Sequence, residues 1–228
     1  MMENLNEIEI TLKNKSKIRF LYPKAEKEMI FSVLQGNDYP LSNVKIKSRN
    51  PIILDLGSNF GSSIVYFRDN YPNSTIYGYE PSHGTYAVLE KNVKELSNIH
   101  LNNIAVWNKN GKFKLNYGPE KRTGSFTLKN WDEDLGGEYV QTTTIREIVD
   151  HHNLESIDIL KMDIEAVELD VLFDIFSNPI DFTIHNIFIE YHGEFVLNEI
   201  RKTFSALYDI MECNSFTGSQ GVVLLVLR

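Results

Sequence analysis

A single cysteine, Cys213, stands in the whole chain, so no internal disulfide can form and no Cys-x-x-Cys or zinc-like spacing exists. It reads as a small buried apolar residue. No apolar run approaches the roughly 20 residues of a membrane-spanning helix, and the opening Met1-Met2-Glu3-Asn4 lacks a basic segment followed by an apolar one. These absences predict a cytoplasmic protein with no membrane attachment. Basic residues are in the minority, 23 Lys and Arg against 31 Asp and Glu, for a formal net charge of -8. With no long Lys/Arg stretch, such a surface repels phosphate backbones, and nucleic acid is not an expected partner. Also missing is the Gly-x-Gly-x-x-Gly that close approach to a dinucleotide pyrophosphate needs. What is present is 42% hydrophobic content over 228 residues, enough to bury one good core.

Residues 52–63, Ile-Ile-Leu-Asp-Leu-Gly-Ser-Asn-Phe-Gly-Ser-Ser, run from a buried-strand signature into a glycine-containing turn. Ile52, Ile53, Leu54 and Leu56 predict a central parallel strand covered on both faces. Asp55 is out of place there, because a buried carboxylate is costly unless a ligand or backbone N–H groups compensate it. It is therefore a candidate cofactor ligand. Gly57 and Gly61, with Ser58 and Asn59 between them, allow a sharp turn that brings backbone N–H groups toward a ligand at the start of a helix over 62–68. A second strand, Thr75 to Tyr79, ends in Glu80-Pro81, where an acid hydrogen-bonds a ribose diol. Two acids and no basic residue suit a ligand with a ribose and a positive centre better than one with phosphates. S-Adenosylmethionine has that character.

Strand and helix alternate along the chain, which implies a parallel sheet with right-handed crossovers and ligands at the carboxyl ends of the strands. Ahead of it, Ile8 to Leu21 alternates about Asn14-Lys15-Ser16 as a β-hairpin, and residues 24–35 have helical spacing that ends at Gly36. Residues 1–50 thus read as an extension packed on a core of residues 51–228. Tyr39, in the following loop, reads more readily as a packed tyrosine than as a pocket residue. A helix opens at Pro81-Ser82, and a third strand, roughly His100 to Val106, sets Asn103 and Ala105 where an adenine ring would rest; Asn103 reads equally as a turn asparagine. Strands at Lys112 to Tyr117 and Val140 to Thr143 flank a candidate lid, residues 118–137, with Ser125 and Phe126 toward substrate. Thr144 caps the next helix, with Glu147 at the capping-box position. At the end, a helix over 195–204, a strand from Ser205 to Glu212, a polar loop from Asn214 to Gly221 and a strand from Val222 to Leu227 predict an antiparallel final pair.

A second constellation follows the apolar strand Ile157 to Met162, which ends in Asp163-Ile164-Glu165 before a helix from Ala166 to Phe176; Lys161 inside it makes with the two acids a charge network that reads equally as structural or catalytic. The next strand, Ile184 to Ile189, ends in Glu190-Tyr191-His192. Carboxylates and an imidazole at neighbouring strand tips are what a hydroxyl acceptor needs for removal of its proton. His192, steered by Glu190 or Asp163, is the first choice of base, since an imidazole with a pKa near 6.5 is mostly neutral at pH 7. Asp163, Glu190 and His192 also form an alternative ligand set for a divalent ion, although base catalysis is preferred and no metal is expected.

Five stretches in order, Ile-Leu-Asp-Leu-Gly-Ser-Asn-Phe-Gly, Tyr-Gly-Tyr-Glu-Pro, Asn-Ile-Ala-Val at 103–106, Ile-Leu-Lys-Met-Asp-Ile-Glu-Ala-Val-Glu at 159–168 and Ile-Glu-Tyr-His at 189–192, resemble the FkbM family of methyltransferases. The resemblance implies a Rossmann-like class I methyltransferase sheet, mostly parallel with an antiparallel C-terminal strand, here with the N-terminal hairpin and helix added. It also implies S-adenosylmethionine as cofactor and O-methylation of a small metabolite, sugar or polyketide-like acceptor. Ala166 departs from the family's usual Gly, and Ser58 from its common Ala. The rival readings are a non-catalytic adenosine-nucleoside-binding module and, less favoured, an NAD-dependent oxidoreductase.

Overall fold

The computed structural model describes residues 5–118, 126–129, 135–177, 181–217 and 219–228. It opens with an antiparallel hairpin, β1 (Leu5–Thr11) and β2 (Lys17–Pro23), followed by a single 3-10 turn and helix α1 (Lys27–Leu34). Gly36 ends this helix at φ 77°, donating its N–H to Val33 O. The core then alternates β3 (Ile52–Leu56), α2 (Ser62–Asn70), β4 (Thr75–Tyr79), α3 (His83–Val93) and β5 (Ile99–Asn102). After the short β6 (Ala105–Val106), β7 (Gly111–Asn116) and β8 (Gly137–Thr143) come α4 (Ile145–His152), β9 (Ser156–Ile157) and β10 (Ile159–Met162). The chain closes with α5 (Glu168–Ser177), β11 (Thr183–Ile184), β12 (Asn186–His192), α6 (Glu194–Phe204), β13 (Tyr208–Thr217) and β14 (Gln220–Leu227).

The main sheet has seven strands in the order β13-β14-β12-β10-β3-β4-β5. The five strands from β12 to β5 are parallel, and β14 runs antiparallel between β12 and β13. Alternation along the central strands explains why they read as unbroken apolar runs. Ile53, Ile159, Phe188 and Leu224 face a core shared with α1, α2 and α3, while Leu54, Leu160, Ile187 and Leu225 face one shared with α4, α5 and α6. Both faces are covered, as a parallel sheet requires.

Three sequence expectations need correction. The strand placed over 100–106 breaks at Asn103-Ile104: β5 stays in the main sheet, and β6 joins β8 in a separate three-stranded sheet with β7. Residues 214–217 of the supposed polar loop continue β13, which keeps pairing with β14 through irregularities at Glu212/Asn214 and Ser215/Thr217. Polar composition there reflects an edge strand open to solvent on one side. The helix expected from Ala166 starts at Glu168, because Glu165 and Ala166 both take left-handed backbone angles, φ 54° and 71°. Much of the candidate lid, Ser125 included, lies outside the described residues.

The N-terminal segment is tied closely to the core. The side chain of Asn92 on α3 both accepts from Leu21 N (2.7 Å) and donates to Leu21 O (2.9 Å). Asn186 does the same for the backbone of Lys45, each bond 2.9 Å. Tyr66 on α2 donates its hydroxyl to Tyr39 O at 3.0 Å.

Candidate active site

The carboxyl ends of β3, β4, β10 and β12 open into one cleft with an empty volume of about 810 Å³, its mouth included. Gly57, Asn59, Glu80 and Pro81 form one part of its wall, and Ala105, Val106, Leu115, Phe126 and Leu128 an apolar part. Asp163, Ile164, Glu165 and Glu190 form the acidic end, and Met29 reaches it from α1. Among the described lining residues there are four carboxyl groups and no Lys, Arg or His.

The turn after β3 is built differently from the sequence expectation. Gly57 has φ 77°, and a Cβ there would lie 1.9 Å from Asp163 O, so only glycine allows β3 and β10 to end side by side. Its N–H and that of Ser58 donate to Tyr79 O, and the Gly61 N–H donates to Ser58 O. These donors are used within the protein and are not offered to a ligand. Gly61 instead serves packing, since a Cβ would stand 2.7 Å from Leu89 Cδ1 on α3. Glu80 is the hub of this end. It is buried, with Oε2 accepting from Asn59 N and Oε1 from Ser82 N, each at 2.9 Å. Burial pushes its carboxyl up to about 7 despite those two bonds. Asn103 does not line the cleft; its amide donates to Glu80 O and Pro81 O and so braces the second strand tip. Ala105 does line it.

Asp55 lies beneath the cleft, fully buried. It sits in register with Lys161 on the neighbouring strand β10, accepts from Ser63 Oγ at 2.7 Å, and its Oδ1 stands 3.4 Å from Lys161 Nζ. Its charge is thus balanced inside the protein, which resolves the anomaly of an acid in an apolar strand. Lys161 also donates to Gly57 O (2.7 Å) and stands 3.6 Å from Asp163 Oδ2. Burial alone would lower Lys161, but Asp55, Asp163 and Glu190 outweigh it and hold the ammonium above its ordinary value. One buried cation therefore locks the tip of β3 to that of β10.

Asp163 responds in the opposite sense. Burial works to raise it, yet Lys161 and a hydrogen bond from Glu190 prevail, and it stays below the ordinary carboxylate range. Glu165 and Glu190 are both pushed well above that range, by burial first and then by the charge of Asp163. Among three neighbouring carboxyls, ionisation is thus favoured at Asp163 and disfavoured at Glu165 and Glu190. His192 does not reach the cleft wall. Its Nε2 lies 3.5 Å from Glu165 Oε2 and 3.8 Å from Glu190 Oε1, and Nδ1 is buried without a hydrogen-bond partner. Burial lowers its pKa against the opposing pull of Asp163, so it is neutral. The first-choice base therefore stands beside the two glutamates, as exposed as they are, without lining the cleft itself. No group of three His, Cys, Asp or Glu among the described residues is arranged to hold a metal ion.

Two residues emerge that sequence reasoning missed. Glu168 is buried, and its Oε1 accepts from Ile164 N (3.1 Å) and Ala166 N (3.2 Å), pinning the left-handed turn that presents Glu165. Its place three residues after Glu165, opening an apolar helix, was the available signal. Tyr39, read as a packing tyrosine, is indeed buried between Phe67 and Phe188, but its hydroxyl also donates to Asp163 Oδ2 at 3.3 Å. No sequence spacing links residues so far apart.

A sheet of this order, with acids facing the cleft at the second and fourth parallel strand tips, is the fold of a class I methyltransferase. The chain belongs to the methyltransferase FkbM domain family, whose model matches residues 55–216. Methyltransferase sdnD of Sordaria araneosa is 26% identical over 65% of this chain and 69% of its own length. The 2-O-methyltransferase NoeI of Sinorhizobium fredii is 26% identical over 60% of this chain and 66% of its own. Among solved structures, methyltransferase FkbM from Methylobacillus flagellatus KT superposes with a TM-score of 0.57 at 15% identity over 84% of this chain, which spans 47% of that protein. The fibrillarin pre-rRNA processing protein of Methanococcus jannaschii gives a TM-score of 0.52 at 12% identity, with 99% of each chain covered. These two likenesses show the fold. No helix among the described residues is long and apolar enough to cross a membrane.

Proposed function

We propose that the protein transfers the methyl group of S-adenosylmethionine to a hydroxyl of a small-molecule acceptor. The observation that carries this reading is one cleft with a buried acid at the β4 tip and a coupled acid cluster at the β10 and β12 tips. Four carboxyls without a basic side chain suit a cationic nucleoside and disfavour both a dinucleotide pyrophosphate and a nucleic acid acceptor. When bound, S-adenosylmethionine supplies a methyl carbon on a positively charged sulfur leaving group. Glu80 holds the ribose hydroxyls, Gly57 and Asn59 form the adjoining wall, and Val106, Leu115, Phe126 and Leu128 offer an apolar face to the base. Glu165 or Glu190 takes the proton from the acceptor hydroxyl. Burial and the charge of Asp163 disfavour ionisation of each in the free cleft, and a positive charge arriving there favours it, which brings the group toward the pKa a general base needs. His192, with Nε2 beside an oxygen of each, is placed to receive that proton. The O-directed name of the NoeI relative agrees with a hydroxyl acceptor.

Calorimetry with S-adenosylmethionine, its demethylated product and NAD, followed by transfer of a labelled methyl to a panel of neutral hydroxyl compounds, tests the reading. Binding of the first two but not NAD, with label in the acceptor, is expected. Binding without transfer to any acceptor would favour the nucleoside-binding module, and preferential binding of NAD would overturn the proposal.

A further inference from the structure

The catalytic end of the cleft draws on a part of the chain outside the matched family domain. Residues 24–39 precede residue 55, where that domain begins, yet Met29 lines the cleft and the Tyr39 hydroxyl meets Asp163 Oδ2, the same oxygen that faces Lys161 Nζ. The Tyr39 ring is held edge-on against Phe188 with centroids 5.6 Å apart, beside Phe67 at 6.2 Å, and lies 5.7 Å from Lys161 Nζ. Its backbone carbonyl is fixed by Tyr66. The neighbouring Asp38 is buried and accepts from Ser32 Oγ at 2.7 Å and from Asn214 Nδ2 at 3.0 Å, so the segment is tied to its own helix α1 and to the edge strand β13. The partner of this buried, anchored phenol is Asp163, the carboxyl of the cluster that Lys161 holds toward its charged form.

We propose that Tyr39 is a positioning residue of the active site, docked from the N-terminal segment to hold Asp163 in place and in its charged form. The phenol stays protonated, because burial and the surrounding carboxylates raise it well above its ordinary value. It can therefore only donate to Asp163. The other groups that bear on Asp163 are Lys161 from β10, Glu165 and Glu168 beyond it, Glu190 and His192 from β12, Glu80 at the β4 tip, and Asp38 beside Tyr39. Losing one donor to the anion destabilises the charged form, so the apparent pKa values of the Asp163–Glu190 pair move up. The catalytic half of this inference rests on the methyl-transfer reading, whereas the electrostatic half does not.

Tyr39→Phe removes one oxygen and keeps the ring in its packing. Tyr208→Phe removes a buried phenol that donates to Ile184 O in the other core, away from Tyr39, and serves as the control. Carboxyl carbon NMR titration of the ligand-free protein should show the Asp163–Glu190 titration shifted upward in Tyr39→Phe and unmoved in Tyr208→Phe. In turnover, Tyr39→Phe should lower kcat about tenfold, the scale of one hydrogen bond to a charged group, with unchanged KM for the methyl donor. The acidic limb of the pH–rate profile should move up with the titration. A titration that superimposes on the wild type, or one that shifts while kcat does not change, would overturn the proposal. If the wild type transfers no methyl group at all, the titration still decides whether Tyr39 holds Asp163, and only the functional reading fails.

Discussion

Glu80→Gln is the most direct test of the electrostatics at the cofactor end. In the folded protein the Glu80 carboxyl sits at about 7, against 4.5 for a free side chain, chiefly because it is buried. The folded state keeps a proton over the window between those values, where the unfolded chain has released it. Stability is therefore fullest below 4.5 and declines as pH rises toward 7, after which the loss is complete. A displacement of this size corresponds to about 3 kcal/mol. Glutamine does not titrate, but its NH2 faces one of the two backbone N–H groups, from Asn59 or Ser82, that the carboxyl now satisfies. At low pH the variant should be less stable by roughly 1 to 3 kcal/mol. Between pH 5 and pH 8 the wild type should then lose its advantage by about 3 kcal/mol relative to the variant. Urea unfolding of both proteins across that range, with the m-value checked for constancy, measures the difference. A gap independent of pH would refute the raised carboxyl and, with it, the account of this end as a poorly hydrated acid awaiting a partner.

Other outcomes follow from the acidic end. Ala166→Gly should relieve a left-handed backbone that costs an alanine about 1 to 2 kcal/mol, partly offset by about 0.4 to 1 kcal/mol of added unfolded-state entropy. A net gain of roughly 0.5 to 1 kcal/mol, read as a higher urea midpoint, is expected, and a loss would contradict the geometry. Lys161→Met should destabilise by about 3 to 5 kcal/mol, because it leaves Asp55 and Asp163 without their shared cation, and an unaltered midpoint would show that the ion pair is not formed. Glu190→Gln should slow methyl transfer by about 10²-fold or more, whereas His192→Ala should slow it only about tenfold, since Glu190 lines the cleft and the imidazole does not. The reverse order in single-turnover rates would restore His192 as the base.

Much of this molecule was legible in the chain because its signals are local. Parallel strands covered on both faces read as apolar runs, so the core strands and the alternation that makes the sheet could be placed directly. Helix-ending Gly36 and the Thr144 cap, which accepts from Glu147 N at 3.2 Å, follow from backbone chemistry within a few residues. Acids at strand tips announced a site, and Glu80, Asp163, Glu165 and Glu190 do share one cleft.

What each charged group does there was decided only by which strands became neighbours. Asp55 looked like a ligand until β10 placed Lys161 in register beside it, and a sequence carries no record of that pairing. His192 looked like the base until Glu165, carried around a left-handed turn pinned by Glu168, took a place on the cleft wall beside its Nε2. Asn103 turned inward because a strand broke and rejoined another sheet, and its amide was taken by two carbonyls. Tyr39 gained its hydroxyl partner from 124 residues away. A local pattern determines whether a side chain is buried, since burial follows the period of its own element; the partner that sets its charge arrives from another element and depends on how the whole sheet is assembled.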